Sequence, residues 1–297
     1  MKVAITGSHG LIGSALVPRL TAAGHAVIRV VRGAAGPGEA SWDPAGGTID
    51  IAALGGVDAA IHLAGVGIAD RRWSAAHKAA VFDSRVRGTR VLAEALARLE
   101  PRPSVLLSGS AVGYYGDRGG EDLTESSEAG TGFLAEVCRQ WEAAASPADD
   151  AGIRVLRLRT GIVLSPAGGA LAKQLPLFRL GVGGRLGSGR QYMSWIALDD
   201  DVAAIAFALT ADGLRGAANL TAPNPVTNAE LAAAIGRALH RPAALPVPAA
   251  ALKIALGRQM ATEMLLGGAK VLPRALQEAG YAFAHPEVEE ALGTMLS

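Results

Sequence analysis

The distribution of apolar positions predicts that the chain opens with a buried strand and then a helix. Residues 3–5 form an uninterrupted apolar run, which is typical of a strand covered on both faces of a parallel sheet. After a short glycine-containing segment, apolar residues recur at the intervals of an amphipathic helix: Leu11, Ile12, Ala15, Leu16 and Leu20. This part of the chain is therefore expected to form a strand, a tight turn and a helix.

The alternation of strands and helices continues along the chain. Apolar runs predict further strands at residues 26–32, 57–65, 104–108, 154–159 and 217–221. Helical periodicity predicts helices at residues 84–99, around residues 133–145, and after Trp195, where acidic residues stand near the helix start. Strands that alternate with helices predict an α/β fold with a doubly wound parallel sheet of the Rossmann type.

A glycine-rich segment and a helical tail depart from this pattern. Residues 168–189 are rich in glycine and predict an excursion away from the sheet. After the last predicted strand the chain reads as helical, with prolines and glycines between the helices. We expect a sheet domain of residues 1–165 and 192–222, and a smaller, mostly helical substrate-side region of residues 166–191 and 223–297.

The turn between the first strand and the first helix carries a glycine pattern, Gly7-x-x-Gly10-x-x-Gly13. In a dinucleotide-binding turn, Gly7 would allow the tight bend, Gly10 the approach of a pyrophosphate, and Gly13 the packing of helix on strand. The free N–H groups at the start of the helix, which include those of Leu11 and Ile12, would then point toward the negatively charged pyrophosphate. A plain strand-to-helix turn is the alternative interpretation, and the flanking strand and helix favour nucleotide binding.

The end of the second predicted strand indicates which dinucleotide fits. A site selective for NAD(H) usually places an acidic residue there, about 20 residues after the glycine turn, to bind the adenosine ribose. This chain has Arg32 followed by Gly33, and the next acidic residue is Glu39. Because an arginine can pair with a 2′-phosphate, the sequence favours NADP(H) over NAD(H). The alternative is that Arg32 is a solvated residue at a strand end.

Composition narrows the class of protein and of partner. The 297 residues carry a formal net charge of +1, with 50% hydrophobic and 19% charged residues, so a large core is expected. The balanced charge gives no reason to expect nucleic acid or a membrane surface as a partner.

No apolar leader or long apolar run is present, which predicts a cytoplasmic protein. The sequence leaves open whether the protein is a monomer or a homodimer. Cys138 is the single cysteine and the histidines are scattered, so neither an internal disulfide nor a metal site is expected.

Several segments, taken in order after the glycine turn, resemble one family. They are His62-Leu-Ala-Gly65, Arg71-Arg-Trp-Ser74, Ser84-Arg85, Gly88-Thr89, Ser108-Gly-Ser-Ala-Val-Gly-Tyr-Tyr-Gly116, residues 133–142, residues 181–195 and residues 272–286. They resemble the extended short-chain dehydrogenase/reductases, and more narrowly the atypical epimerase-family proteins of that group, which are described as sugar-nucleotide epimerase-like or cell-division-inhibitor-like. The resemblance implies that Leu63, Ala64 and Gly65 border the adenosine and ribose of the cofactor, and that Ser108 and Ser110 lie near its nicotinamide.

The resemblance also implies a catalytic arrangement from which this chain departs. Active members use a serine or threonine like Ser110 to orient a substrate hydroxyl or carbonyl, and a Tyr-x-x-x-Lys motif to transfer the proton. Here Phe133 or Leu134 takes the tyrosine position, and Val137 or Cys138 takes the lysine position. The usual proton relay is therefore absent.

Three other residues are candidates for part of that chemistry. Tyr114 and Tyr115 follow the strand that carries Ser110, and each could donate a hydrogen bond to a substrate or pack as a ring against the loop. Arg85 stands where related proteins commonly have asparagine, and it could bind a phosphate or carboxylate or stabilise an oxyanion. We count Arg85 and Ser108 with the cofactor-binding residues.

These observations lead to two main hypotheses. The first is an NADP(H)-binding epimerase or oxidoreductase acting on a small carbonyl or hydroxyl substrate, phosphorylated or nucleotide-linked, beneath a cationic glycine-rich rim at residues 179–190. The second is a non-catalytic NADPH-binding redox sensor or scaffold, which the absent Tyr-x-x-x-Lys motif favours. A link to cell division is suggested only by names within the resembled family.

Overall fold

The computed structural model describes residues 1–297, which form two compact units. The first unit comprises residues 1–111, 137–159 and 202–218, and the second comprises residues 112–136, 160–201 and 219–297. Compared with the division expected from the sequence, the segments that group with the C-terminal residues rather than with the sheet are 112–136, 160–165, 192–201 and 219–222.

The strands are, in chain order, β1 (Lys2–Thr6), β2 (Ala26–Arg32), β3 (Glu39–Asp43), β4 (Thr48–Ile49), β5 (Ala59–His62), β6 (Val105–Ala111), β7 (Asp122–Leu123), β8 (Arg154–Thr160), β9 (Ile162–Leu164), β10 (Tyr192–Met193), β11 (Trp195–Ala197), β12 (Gly216–Leu220), β13 (Val226–Thr227) and β14 (Lys270–Val271). The helices are α1 (Leu11–Ala22), α2 (Ala75–Ala97), α3 (Phe133–Ala143), α4 (Ser146–Asp150), α5 (Gly169–Arg179), α6 (Leu198–Thr210), α7 (Asn228–Ala238), α8 (Ala249–Leu256), α9 (Arg258–Ala261), α10 (Arg274–Glu278) and α11 (Val288–Leu296). Short 3-10 turns occupy Ala52–Leu54 and Val112–Tyr115, and a π-helical turn occupies Thr262–Leu266.

An eight-stranded sheet dominates the first unit, in the order β12-β8-β6-β5-β1-β2-β3-β4. β1 pairs in parallel with β2 and β5, β2 with β3, and β5 with β6, whereas β3 and β4 are antiparallel. The predicted doubly wound α/β fold is confirmed. The apolar pattern does not predict β3 and β4, because β4 has only two residues and β3 has only two apolar ones, Ala40 and Trp42, after a loop rich in glycine and proline.

The central strands are buried on both faces, as their continuous apolar runs predict. Five of their large side chains are completely buried: Val3, Ile5, Ile61, Leu106 and Leu107. Leu92 and Leu96 of α2 and Trp42 of β3 belong to the buried core of the same unit. Each such side chain contributes about 1.5–3 kcal/mol through burial. The core thereby holds the carboxyl ends of the parallel strands at one edge, where ligands bind in sheets of this kind.

The second unit consists of helices and three short two-stranded ladders. β9 pairs with β11 and β7 with β14 in parallel, and β10 pairs with β13 in antiparallel fashion. The β7–β14 and β10–β13 ladders join internal segments to the C-terminal part of the chain, which explains the grouping of those segments. Leu171 and Phe178 of α5 belong to one buried cluster with Trp195. The apolar spacing of α5 was not recognised as helical in the sequence because glycines flank it at both ends of residues 168–189.

No helix of the protein is both long enough and apolar enough to cross a bilayer.

Two neighbouring aspartates in the first turn of α6 have different environments. Asp200 accepts hydrogen bonds from the N–H groups of Ala284 and His285, at 2.8 Å each, and so anchors the C-terminal segment. Asp201 is fully buried, and neither of its carboxylate oxygens has a hydrogen-bond partner. Burial raises the pKa of the Asp201 carboxyl to about 8.

We expect Asp201 to make the protein less stable as the pH rises from 6.5 to 8. The unfolded chain ionises this carboxyl near the ordinary pKa of 3.8, whereas the folded chain keeps the proton up to about pH 8. The stability contributed by the bound proton is therefore lost with rising pH, at about 1.4 kcal/mol per pH unit, or about 2 kcal/mol over this interval. Urea unfolding at several pH values measures the loss, and Asp201→Asn should abolish it. Equal slopes in the two proteins would contradict this assignment.

Candidate functional site

The turn between β1 and α1 has a geometry that requires glycine at two positions. Gly7 has a φ of +70°, and a Cβ atom there would lie 2.7 Å from the carbonyl carbon of Leu63. A Cβ atom at Gly13 would lie 2.2 Å from the carbonyl oxygen of Gly7. Gly10 stands immediately before α1, and its N–H donates to the oxygen of Gly7 at 3.0 Å. The strand, the turn and the helix are therefore packed backbone against backbone.

A cleft of about 770 Å³ lies beside this turn, at the carboxyl ends of β1, β2 and β5. Its lining residues are Gly7, His9, Gly10, Val30, Val31, Arg32, Gly33, Trp42, Pro44, Leu63, Ala64, Gly65, Val66 and Ser84. The structure thus brings together most of the residues predicted to bind the cofactor. Leu11 and Ile12 open α1 with half-buried side chains, and Gly13 packs α1 onto the turn.

One rim of the cleft is cationic. Arg32 ends β2 with an exposed side chain, and Gly33 follows with a φ of +91°. His9 also lines the cleft, and its Nε2 lies 3.4 Å from Nη1 of Arg29. The lining residues include no aspartate or glutamate. This arrangement suits a phosphate group, as the sequence predicts for Arg32.

Trp42 and Pro44 are lining residues that sequence reasoning missed. They belong to β3 and the turn after it, which the apolar pattern does not predict. The ring of Trp42 meets the ring of His62 edge to face, with the centroids 5.9 Å apart. A single tryptophan inside a polar, glycine-rich loop was the available signal, since such a side chain is rarely left exposed.

His62 fixes the end of β5 behind the cleft. The Oγ1 atom of Thr6 accepts hydrogen bonds from the N–H groups of Leu63 and Ala64, at 3.2 and 3.3 Å, and lies 2.7 Å from Nδ1 of His62. The threonine hydroxyl is thus paired with Nδ1, whereas Nε2 of His62 is buried without a hydrogen-bond partner. Burial, and secondarily the charge of Arg85, lowers the pKa of His62 to about 4. His62 is thus a neutral, structural residue at physiological pH.

Arg85 lies directly behind Gly65. Its Nη1 donates to the carbonyl oxygens of Val66, at 2.9 Å, and Val81, at 3.2 Å. Its guanidinium carbon lies 5.0 Å from the centre of the Trp141 ring. A Cβ atom on Gly65 would approach that carbon to 3.2 Å, so glycine gives Arg85 its room next to the cleft. Burial lowers the pKa of Arg85.

A hydrogen-bonded group that the sequence does not predict surrounds Ser110 at the end of β6. The Ser110 hydroxyl donates to Oε1 of Glu142 at 2.7 Å. Arg159 holds the same carboxylate through Nε to Oε1 at 2.8 Å and Nη2 to Oε2 at 2.9 Å. All three side chains are buried. Ser108 is also buried, in register with His62, and its hydroxyl has no hydrogen-bond partner.

The two tyrosine candidates lie in the second unit, in the 3-10 turn that follows β6 along the chain. Tyr115 is completely buried, and its hydroxyl donates to Oδ1 of Asn219 at 2.6 Å. Tyr114 is half-buried, and the two rings pack edge to face with their centroids 5.3 Å apart. The contacts of Tyr115 fit a packing role, whereas Tyr114 keeps the features of a hydrogen-bond donor at a partly open position.

α3 contains none of the groups of a Tyr-x-x-x-Lys relay. The positions in question are occupied by Phe133, Leu134, Val137 and Cys138. Burial, reinforced by the charge of Glu142, raises the pKa of the Cys138 thiol to about 12. The thiol therefore stays protonated and unreactive at neutral pH.

The glycine-rich segment of the second unit uses one of its arginines internally. Arg185 donates from Nη1 to the carbonyl oxygens of Gly187, at 3.0 Å, and Ser188, at 2.8 Å. These bonds close a loop, so the role of Arg185 is at least partly to shape this segment.

The chain matches known protein families and sequences over most of its length. Residues 3–220 match the NAD dependent epimerase/dehydratase family, and residues 247–295 match a domain of unknown function, DUF1731. Epimerase family protein Mb2239 of Mycobacterium bovis is 51% identical over 292 residues, which are 98% of this chain and 96% of that protein. Epimerase family protein SDR39U1 of Homo sapiens is 38% identical over 297 residues, which are 98% of each chain.

Solved structures agree with the sequence matches. The crystal structure of human SDR39U1 isoform 2 with NADPH covers 100% of this chain and 99% of that chain, with 37% identity and a TM-score of 0.92. A structure described as the nucleoside-diphosphate sugar epimerase from Corynebacterium glutamicum covers 100% of this chain and 58% of that chain, with 39% identity and a TM-score of 0.83. The chain therefore belongs to the NAD dependent epimerase/dehydratase family.

Proposed function

We propose that this chain binds NADP(H) in the cleft beside the β1–α1 turn and uses it to oxidise or reduce a small hydroxyl or carbonyl substrate. The observation that carries the proposal is the glycine turn beside the cleft, where Gly7 and Gly10 line the cleft together with Arg32 and no lining residue is an aspartate or glutamate. The crystal structure of the human relative with NADPH supports the same choice of cofactor.

The residues present fit a dinucleotide. Gly7 and Gly10 expose backbone without side chains, and the unpaired N–H groups at the start of α1 can bind the pyrophosphate. Arg32 would bind the 2′-phosphate, and Leu63, Ala64 and Gly65 would border the adenosine and ribose. The bound nicotinamide would supply or accept the hydride. Ser110 is the residue of the first unit that we assign to the substrate. Of the two tyrosines in the second unit, Tyr114 stays a candidate hydrogen-bond donor, and Tyr115 is assigned to packing.

We expect Arg32→Ala to weaken binding of NADPH about tenfold while changing the affinity for NADH less than about twofold, because one exposed charge-assisted contact contributes about 1–2 kcal/mol. Fluorescence titration of the purified protein with each nucleotide measures both affinities. Arg90→Ala is the matched control, since it removes an equal charge from a surface pair with Glu94 on α2. Equal weakening of both nucleotides by Arg32→Ala would refute the 2′-phosphate assignment.

A second candidate function is an NADPH-binding sensor or scaffold without turnover. The observation that favours it is α3, where neither tyrosine nor lysine occupies the relay positions. Under this proposal nucleotide binding persists while no carbonyl or alcohol in a broad screen changes the nicotinamide absorbance. Turnover that disappears in Ser110→Ala would exclude the sensor and support the enzyme.

A further inference from the structure

We propose that Glu142 is the proton acceptor that replaces the missing tyrosine and lysine, with Ser110 as the link between Glu142 and the substrate oxygen. This inference rests on the proposed NADP(H)-dependent function. The geometry on which it stands lies within the first unit, where β6, α3 and β8 bring together residues far apart in the chain.

The direction of the Ser110 hydrogen bond carries the argument. Ser110 Oγ gives its one proton to Oε1 of Glu142 at 2.7 Å, and the carboxylate has no proton to return. The oxygen of Ser110 keeps two acceptor lone pairs, of which the neighbouring Cys138 thiol can use one and a substrate the other. The oxygen of Ser110 can therefore accept a hydrogen bond from a substrate hydroxyl. It has no proton left with which to donate a hydrogen bond to a substrate carbonyl.

Arg159 keeps this arrangement in place. Its two bonds, of 2.8 and 2.9 Å, fix both oxygens of Glu142, and the fork of the guanidinium matches the carboxylate plane. Glu142 and Arg159 expose 8% and 5% of their surfaces, so water competes little for these bonds. A carboxylate held in this way presents one fixed lone pair to Ser110, which is the requirement for transfer through a hydroxyl.

For the oxidation of an alcohol, the proposed proton transfer accounts for every proton and for the hydride. As the C–H bond of the alcohol breaks and its hydride passes to NADP⁺, the O–H proton passes to Oγ of Ser110, and the original Ser110 proton passes to Oε1 of Glu142. The products are a carbonyl compound, NADPH and protonated Glu142, and the proton returns to water by the same two bonds after the carbonyl compound has left. Carbonyl reduction follows the reverse path and begins with Glu142 protonated.

The test uses the full chain, NADPH, and a panel of aldehydes and quinones that includes 9,10-phenanthrenequinone. We expect Glu142→Gln and Ser110→Ala to lower the reduction rate by about 100-fold, within the usual range for a lost acid or base, with the NADPH affinity unchanged within about twofold. The wild-type rate should rise as the pH falls, and this dependence should vanish in Glu142→Gln. Ser110→Thr, which keeps a hydroxyl, should recover much of the rate, and Glu94→Gln, which removes a surface carboxylate paired with Arg90, should behave as wild type.

Glu142→Gln removes the carboxylate charge that balances the buried guanidinium of Arg159, so the variant Glu142→Gln/Arg159→Gln provides a neutral pair if the single variant does not fold. Full activity or an unchanged pH profile in either folded variant overturns the assignment of Glu142. A wild-type protein that binds NADPH but transfers no hydride to any member of the panel also overturns it, and leaves the cofactor proposal standing. Failure of the wild-type protein to bind NADPH overturns the proposed function itself.

Discussion

Gly13→Ala is expected to lower the affinity for NADPH by at least about 100-fold, which corresponds to about 2.7 kcal/mol. A methyl group at this position would lie 2.2 Å from the carbonyl oxygen of Gly7 and 2.8 Å from Cα of Ser8. Both atoms are backbone, so no side chain can rotate away, and α1 must shift off β1. That shift displaces the turn and the N–H groups that are proposed to bind the pyrophosphate. Fluorescence titration with NADPH and thermal unfolding of the same samples measure the effect.

Two further glycine variants test whether the loss of NADPH binding is specific to Gly13 or follows from any Gly→Ala substitution. Gly213→Ala is the control, because nothing lies within 4 Å of a Cβ atom there and its backbone carries no positive φ. It should bind NADPH like the wild type. Gly10→Ala, with its nearest contact at 3.3 Å, should fold and bind with an intermediate affinity. Normal NADPH binding by a folded Gly13→Ala protein would refute the assignment of the turn.

Arg159→Met is expected to lower the free energy of unfolding by about 3–5 kcal/mol, because it leaves the buried carboxylate of Glu142 without its cation. Both side chains of this pair are almost fully enclosed. Arg237→Met is the matched control, since it breaks an ion pair with Glu289 in which the side chains are 60% and 57% exposed. That variant should lose less than about 1 kcal/mol. Urea unfolding measures both losses, and similar small values would show that the Glu142–Arg159 pair is not an important part of the fold.

The sequence predicts the part of the site that depends on local order. Gly7, Gly10 and Gly13 lie between a strand and a helix that the apolar pattern identifies, so their conformations follow from their neighbours. Arg32 is found in the same way, because it ends the next strand. These features can be read from the sequence since every relevant contact joins elements adjacent in one βαβ unit.

The rest of the site depends on contacts that no local pattern specifies. Glu142 meets Ser110 from 32 positions away and Arg159 from 17, because α3 packs against a sheet in which β6 and β8 are neighbours. A glutamate on an amphipathic helix reads as a solvent-facing residue until that packing is known. Trp42 was missed for a related reason, since β3 contains only one other apolar residue, Ala40, and follows a glycine-rich loop. The bond of Tyr115 with Asn219 spans 104 positions and is equally invisible to sequence reading.

The central claim is that the cleft beside Gly7, Gly10 and Arg32 binds a nicotinamide dinucleotide that carries a 2′-phosphate. Titration of the purified wild-type protein with NADPH and with NADH, followed by nicotinamide fluorescence, tests it most directly. We predict a saturable signal with NADPH and an affinity for NADPH at least about tenfold higher than for NADH, as one phosphate contact of about 1.4 kcal/mol requires. The absence of a saturable signal with NADPH, or equal affinities for the two nucleotides, would contradict the account.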